Sequence, residues 1–255
     1  PTWVTAAAQA INENNAANAI VVALNATDAD TGDAVTYSIT GGADAARFNI
    51  NAGNLRLTAP TDREEVGLCG GDFVCEVEVT ATDTLDADNP AVRTFLVTIG
   101  NVNEAPSIST GAAQSIAEGN GANATVVTLA GSDPDGDALT WSLVLGDGVN
   151  DADNGSFNFG GAALRVTAAG YDFETPGCAG PDNTCQVLVQ VTDGVNPVTL
   201  AMTISFTNLD DNEPTWVTAA AQAINENNAA NAIVVALNAT DADTGDAVTY
   251  SITGG

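Results

Sequence analysis

The 255-residue chain has no histidine, and its Lys plus Arg count of five is made up entirely of arginines: Arg47, Arg56, Arg63, Arg93 and Arg165. Without His or Lys, general bases and nucleophiles are scarce, and no catalytic set is assigned. The 33 Asp and Glu residues leave a formal net charge of -28. A surface this acidic repels phosphate backbones and anionic lipid heads, which argues against nucleic acid and membrane surfaces as partners. No apolar run is long enough to span a bilayer, and none follows a basic start in the manner of a signal peptide. Because the sequence opens directly on Pro1, export signals and anchors are expected elsewhere. Aromatic residues make up only 5%. In an acidic chain that is a mark of disorder, but the 45% apolar share and the alternating patterns below count against it.

Cysteine is also sparse. The four form two local pairs, Cys69 with Cys75 and Cys178 with Cys185, each placed just after an Asp-x-Glu element. Matched placement points to two disulfides and an oxidising compartment, each bridge stiffening one small loop. Zinc is disfavoured because the pairs lie in different repeats and no His is available.

What the chain has in abundance is acid in a repeated order: a Glu, Asp-x-Asp, Asp-x-Glu, an Asp ending a strand, then an acidic and Asn-rich proline boundary. The first copy reads Glu13, Asp28 and Asp30, Asp62 and Glu64, Asp83, then Asn101 to Pro106. The second reads Glu118, Asp133 and Asp135, Asp172 and Glu174, Asp193, then Asn208 to Pro214. Acidity alone could serve solubility or salt adaptation. Side chains so far apart yet ordered alike are better explained by something they bind together. Oxygen donors in such number suit a hard cation, and Ca²⁺ takes six to eight oxygens.

Residues 214–255 repeat residues 1–42 without a change, an offset of 226 − 13 = 213. Within that period Glu13 to Glu118 is 105 and Asp83 to Asp193 is 110, so the second copy is longer, around Gly146 to Ser156. The domains expected are 1–105, 106–213 and the start of a third at 214–255. Periods near a hundred residues indicate a string of whole domains.

Strand signals are plain. Cys75, Val77, Val79, Ala81 and Asp83 alternate with Glu76, Glu78, Thr80 and Thr82, and Cys185 to Asp193 does the same. Further strands are expected over 20–26, 35–39, 55–57 and 95–99, and over 126–129, 139–143, 164–166 and 198–206. About seven short strands per hundred residues, separated by Gly, Asn and Asp turns, give an all-β, Greek-key β-sandwich with immunoglobulin-like architecture.

These elements resemble the cadherin repeat: Glu13 in Ile-Asn-Glu-Asn, Asp28-Ala-Asp30, Asp62-Arg63-Glu64, Ala81-Thr82-Asp83, and Asn208-Leu-Asp-Asp-Asn-Glu-Pro214 at the boundary. In the second copy they are Glu118, Asp133-Pro-Asp135, Asp172-Phe-Glu174 and Val191-Thr-Asp193. The shorter boundary Asn101-Val-Asn-Glu-Ala-Pro106 resembles the form in microbial cadherin-like repeats. After Asp-x-Asp the family supplies an Asn, whereas here Asp33 and Asp137 stand nearby.

The resemblance implies Ca²⁺ between successive domains. The first junction would draw Glu13, Asp62, Glu64, Asn101, Asn103 and Glu104, with Asp133, Asp135 and Asp193. The second would draw Glu118, Asp172, Glu174, Asn208, Asp210, Asp211 and Asn212, with Asp241 and Asp243. Asp28, Asp30 and Asp83 would face a preceding domain. Like charges about 4 Å apart repel by roughly 1 to 4 kcal/mol per pair, so divalent ions would turn a splayed string into a linear rod.

Trp3 and Trp216 are read as packed first-strand residues rather than anchors for strand exchange. Asn25, Asn123, Asn154 and Asn238 open Asn-x-Ser/Thr triplets and are candidate glycan sites. The paired acids Asp62/Glu64 and Asp172/Glu174 lack an aromatic sugar platform, which sets a glycosidase aside. The function expected is an extracellular or cell-surface fibre or stalk, stiffened by calcium. It would pair head to tail with further copies of the repeat, with lateral bundling as an option. The alternatives are a calcium-dependent adhesin recognising a cell-surface or glycan partner, and accessory modules of a secreted enzyme.

Overall fold

The computed structural model describes residues 1–30, 34–85, 89–179 and 182–254; Asp33 lies outside the described residues. The chain forms two compact units, Pro1–Glu104 and Ala105–Gly255.

The first unit contains β1 (Thr2–Trp3), β2 (Ala8–Asn12), β3 (Ile20–Ala23), β4 (Ala26–Thr27), β5 (Val35–Gly41), β6 (Phe48–Asn51), β7 (Asn54–Leu57), β8 (Val74–Asp83) and β9 (Ala91–Gly100). One sheet has the order β2-β9-β8-β5, the other β3-β7-β6, and β1 with β4 makes a short ribbon. β2 runs parallel to β9, with Ala8 opposite Leu96 and Asn12 opposite Gly100. The period of two in β8 turns Cys75, Val77, Val79 and Ala81 fully inward. Cys75, Val77 and Val79 pack with Leu55 and Leu57 of β7 and with Phe95, Val97 and Ile99 of β9 in one core. Two sheets face each other across it, the sandwich expected.

The strand expected over 20–26 is broken. Leu24 N–H donates to Gly53 O at 2.8 Å, whereas Asn25 O accepts from the amides of Val4 and Thr5 at 2.9 and 3.1 Å. The chain therefore leaves one sheet and enters the ribbon between Ala23 and Ala26, a change of partner that side-chain alternation does not record.

The second unit repeats the plan with β10 (Ser107–Ile108), β11 (Ala113–Ala117), β12 (Thr125–Thr128), β13 (Gly131–Ser132), β14 (Thr140–Leu143), β15 (Phe157–Gly160), β16 (Ala163–Val166), β17 (Thr184–Thr192) and β18 (Pro197–Thr207). Its sheets are β11-β18-β17-β14 and β12-β16-β15, around Leu164, Val187, Val189, Met202 and Ile204. The inserted segment is tied to itself: Gly146 and Gly148 amides donate to Asp151, each at 2.7 Å, and Val149 and Asn150 amides donate to Asp147 at 2.9 and 2.8 Å. Beyond it the unit also holds β19 (Thr215–Trp216) and β20 (Ala239–Thr240), paired with each other.

Both expected disulfides are present, with Cα separations of 4.6 and 5.0 Å. A carboxylate braces each loop. Asp44 accepts from the Glu76 amide at 2.8 Å, and Asp153 accepts from Ala179 and Gln186 amides at 2.6 and 2.8 Å.

Asn25, Asn123 and Asn238 are exposed. Asn154 is not open to a glycan: its Nδ2 donates to Val144 O at 2.8 Å and its Oδ1 accepts from the Leu188 amide at 3.0 Å.

Phe95 lies fully buried and meets the Trp3 ring edge-on with centroids 5.4 Å apart. Phe95→Ala is expected to cost the first unit about 3 to 5 kcal/mol through lost transfer energy and an unfilled cavity. Denaturant unfolding followed by Trp3 emission measures it. A loss below about 1 kcal/mol contradicts the core assignment.

Candidate metal centre

Glu13 follows the last residue of β2, and its amide donates to Gly100 O at 2.9 Å, continuing the parallel ladder by one step. The side chain is buried. A lone buried carboxylate is costly unless it accepts hydrogen bonds, and Glu13 accepts two: from the Arg63 amide at 2.5 Å and from the Val102 amide at 2.7 Å. The same contacts bring the turn Asp62–Glu64 alongside, where Asp62 Oδ1 accepts from the Glu64 amide at 2.9 Å. One carboxylate oxygen each from Glu13, Asp62 and Glu64 then lies within 4.8 Å of the others. Asn14 Nδ2 donates to Glu104 Oε1 at 2.9 Å, and Asn103 Nδ2 to Glu104 O at 3.2 Å. Asn101 follows β9 directly in that linker.

Asp28, Asp30 and Asp83 gather elsewhere in this unit, lining a polar hollow of about 250 Å³ together with Pro1 and Asn89. The Asp30 amide, donating to Asp28 Oδ1 at 3.0 Å, holds the Asp28 carboxyl below the usual range. Asp83 is buried and accepts from the Leu85 amide at 2.8 Å.

The second unit reproduces the arrangement and extends it. Buried Glu118 accepts from Phe173 and Leu209 amides, each at 2.6 Å, while its own amide donates to Thr207 O at 3.0 Å. Asp172 Oδ1 accepts from Glu174 and Thr175 amides at 2.9 and 3.1 Å. Single oxygens of Glu118, Glu174, Asp211 and Asp243 lie within 4.8 Å of one another, and so do those of Asp210, Asp243 and Asp246. Asp243 belongs to both groups. Its oxygens accept from Asn212, the backbone amide at 2.8 Å and Nδ2 at 3.3 Å, and Asn212 Nδ2 also lies 3.2 Å from Glu174 Oε2. Asp241 accepts from the Asp243 amide at 3.0 Å. Glu174 Oε1 and Asn208 Oδ1 are buried and take no hydrogen bond.

Asp133, Asp135 and Asp193, expected to complete the first junction, belong to this second unit. Asp133 accepts from the Asp137 amide at 3.3 Å, and Asp193 accepts from the amides of Val195 and Asn196 at 2.7 and 2.6 Å. Asp135 lies in the same turn as Asp133.

The electrostatics mark the Asp243 region. Removal from water, followed by repulsion from Glu118, Asp243 and Asp172, raises the Glu174 carboxyl above its ordinary pKa. Asp211 rises for the same reasons, and Asp246 rises through removal from water and then Asp210 and Asp243. Asp246 was not among the residues expected. Its signal was available, since it is the counterpart of Asp33 in the repeated segment (33 + 213 = 246). The arrangement is an all-oxygen donor set of carboxylates and amides around mutually repelling anions. Buried acceptors left without donors and carboxyls driven toward protonation both fit a hard cation.

Residues 8–100 match the family model for the cadherin domain. No curated protein matches the chain. Among solved structures it is similar to the Protocadherin GammaB4 extracellular domain, at 19% identity and a TM-score of 0.64, covering 96% of this chain and 38% of that one. It is also similar to human CDH23 EC21-23, at 19% identity and a TM-score of 0.60, covering 96% and 81%. A third similar structure is mouse Cadherin-23 EC22-24, at 17% identity and a TM-score of 0.64, covering 95% and 76%. This chain spans well under half the length of the GammaB4 extracellular domain, and at these identities the likeness is one of fold. Residues 8–100 thus match the cadherin domain in sequence, and nearly the whole chain shares the fold of cadherin extracellular domains.

Proposed function

We propose that this chain is a stretch of an extracellular fibre or stalk built from cadherin-like repeats, divided at 1–105, 106–213 and 214–255 and stiffened by calcium where repeats meet. One observation carries the reading: Glu118 and Glu174 of the second repeat, Asp211 of the boundary and Asp243 of the following segment converge within 4.8 Å. A hard divalent ion there would be held by these four with Asp172, Asn208, Asp210, Asn212, Asp241 and Asp246. Glu13, Asp62, Glu64, Asn101, Asn103 and Glu104 would do the same after the first repeat, joined by Asp133, Asp135 and Asp193. Asp28, Asp30 and Asp83 would offer the matching half toward a preceding repeat. What the ion supplies is positive charge, and the protein supplies the geometry. Two identical 42-residue segments favour a uniform spacer, whose lateral bundling would follow from matched modules. The adhesin alternative draws on Leu145 and Val149, exposed on the insertion of the second unit, for which a spacer has no use.

Extracellular calcium sites bind at about 10⁻⁴ to 10⁻³ M, so calcium at about a hundred times the dissociation constant is expected to add about 2.7 kcal/mol to folded stability. Thermal melts in chelator and across millimolar calcium test this, and a midpoint that does not move sinks the proposal. Asp243→Asn takes one charge from both groups that share it. Calcium titration of this variant is expected to show at least a tenfold weaker site with both disulfide-bonded sandwiches still folded. Undiminished affinity would remove Asp243 from the set.

The raised carboxyls give a pH dependence with a definite sign. Glu174, Asp211 and Asp246 hold protons more tightly folded than unfolded. Their contribution is therefore fully present below the ordinary carboxylate pKa of about 4 and is lost as pH rises through the raised folded values. In chelator the melting of this region is expected to fall as pH climbs from about 4 toward neutrality, and calcium is expected to abolish that fall. A slope of the opposite sign in chelator contradicts the raised carboxyls.

A further inference from the structure

The cores of the two repeats part company beside the disulfide. In the first unit Leu68, just before the bridged Cys69, is fully buried and belongs to the core. Nearby in sequence, Arg47 and Glu65 are clamped together: Arg47 Nη2 donates to Glu65 Oε1 at 2.7 Å and Nη1 to Oε2 at 3.2 Å. The second unit has a small residue at all three counterparts. Ser156 precedes Phe157 as Arg47 precedes Phe48, Thr175 follows Asp172 by three residues as Glu65 follows Asp62, and Gly177 precedes Cys178 as Leu68 precedes Cys69. All three line one hollow of about 430 Å³.

The rest of the lining is largely apolar and held in place. Val166, Cys185 and Phe206 contribute to it and are themselves buried. Tyr171, also in the lining, lies flat on Phe206 with ring centroids 3.3 Å apart, and its hydroxyl donates to Asn183 Oδ1 at 3.2 Å. A hydroxyl so tied fixes the ring in the wall. Gly177 is not there to serve a turn, because its φ lies outside the left-handed region and a Cβ added to it would sit in ordinary contact with Tyr171 Cε2, at 3.6 Å. Its lack of a side chain keeps the hollow open.

We propose that this hollow is a binding site for a small neutral molecule built on an aromatic ring and carrying a hydroxyl or carbonyl. A cavity of several hundred Å³ with an apolar lining and a few polar groups has the size and chemistry of a small-molecule site. The leucine that occupies the matching place in the first unit shows that apolar matter belongs there. Two rings already in the wall favour a third, since aromatic groups gain from stacked and edge-on contacts beyond the area they bury. The hydroxyls of Ser156, Thr167 and Thr175 offer hydrogen bonds to one polar substituent. An anion is selected against by Asp172 in the lining and by the net charge of -28. A strongly hydrated cation would lose its water against Val166 and Phe206.

Titrating the full chain with 2-naphthol, followed by the polarisation of the probe's fluorescence, tests this. Saturation at one site per chain is expected. Gly177→Leu plugs the hollow as Leu68 does, and is expected to weaken binding by roughly tenfold or more while the melting midpoint holds or rises. Should that variant melt lower, Ser156→Arg combined with Thr175→Glu restores the clamp of the first unit and is expected to weaken binding likewise. Naphthalene-2-sulfonate, the same ring with a negative charge, is expected to bind roughly tenfold more weakly than 2-naphthol. Absence of saturation, affinity undiminished in the plugged and clamped variants, or equal affinity for the sulfonate overturns the proposal. Chelator is present throughout, so the outcome is independent of the calcium reading.

Discussion

A buried glutamate held by two backbone amides from different segments is the contact on which the acidic face of each repeat depends. Glu13 joins the end of β2 to Arg63 and Val102, and Glu118 joins the end of β11 to Phe173 and Leu209. Charge-assisted bonds of this kind are short and strong, and they cannot form unless both segments are in place. Once they form, the Asp-x-Glu turn and the boundary after the last strand are carried to the same spot. Like charges thus converge because the fold puts them there, against their own repulsion. Removal from water, and after it that repulsion, raises the Glu174 and Asp211 carboxyls.

Asn212 shows how the conflict is moderated without a cation. A neutral amide has two donors and can stand between anions where a water or another carboxylate would be less effective. Its side chain reaches Glu174, Asp211 and Asp243, and its backbone amide also donates to Asp243. Those bonds draw the boundary and the following segment against the second repeat, but they leave Glu174 Oε1 and Asn208 Oδ1 unfilled. Hydrogen bonding therefore sets the positions of the donors and leaves their charge uncompensated, which is the division of labour a hard-ion site needs.

Much of this was legible in the residues. Period-two alternation located β8 and β17, the paired cysteines were joined as their placement implied, and the order of acids named most of the side chains that converge. Three kinds of feature were hidden. The break between β3 and β4 was hidden because alternation reports which face a side chain takes, not which strand its backbone bonds. Asp44 and Asp153 look like ordinary turn residues, and their bracing role lies in amides some thirty residues onward. Asp246 was hidden by reading each motif position singly, although the repeat placed an acid there. Asn154 failed as a glycan site for a related reason, since a three-residue triplet carries no information about a carbonyl and an amide on neighbouring strands.

The repeated segment separates what a sequence specifies locally from what it specifies only in company. The Trp–Tyr pair, the short ribbon and the tyrosine hydroxyl bond form in both settings, so they are fixed by contacts within about forty residues of one another. The strand at Ala8–Asn12 depends instead on a distant partner, since it pairs with β9, the last strand of the repeat. Strand propensity is too weak to hold an unpaired strand in place. The glutamate that follows that strand is buried on the same condition, since Val102 lies just past β9. Closing the sandwich and creating the buried carboxylate are consequently one event, since Glu13 and Glu118 acquire the Val102 and Leu209 amides only once the last strand of the repeat is in place.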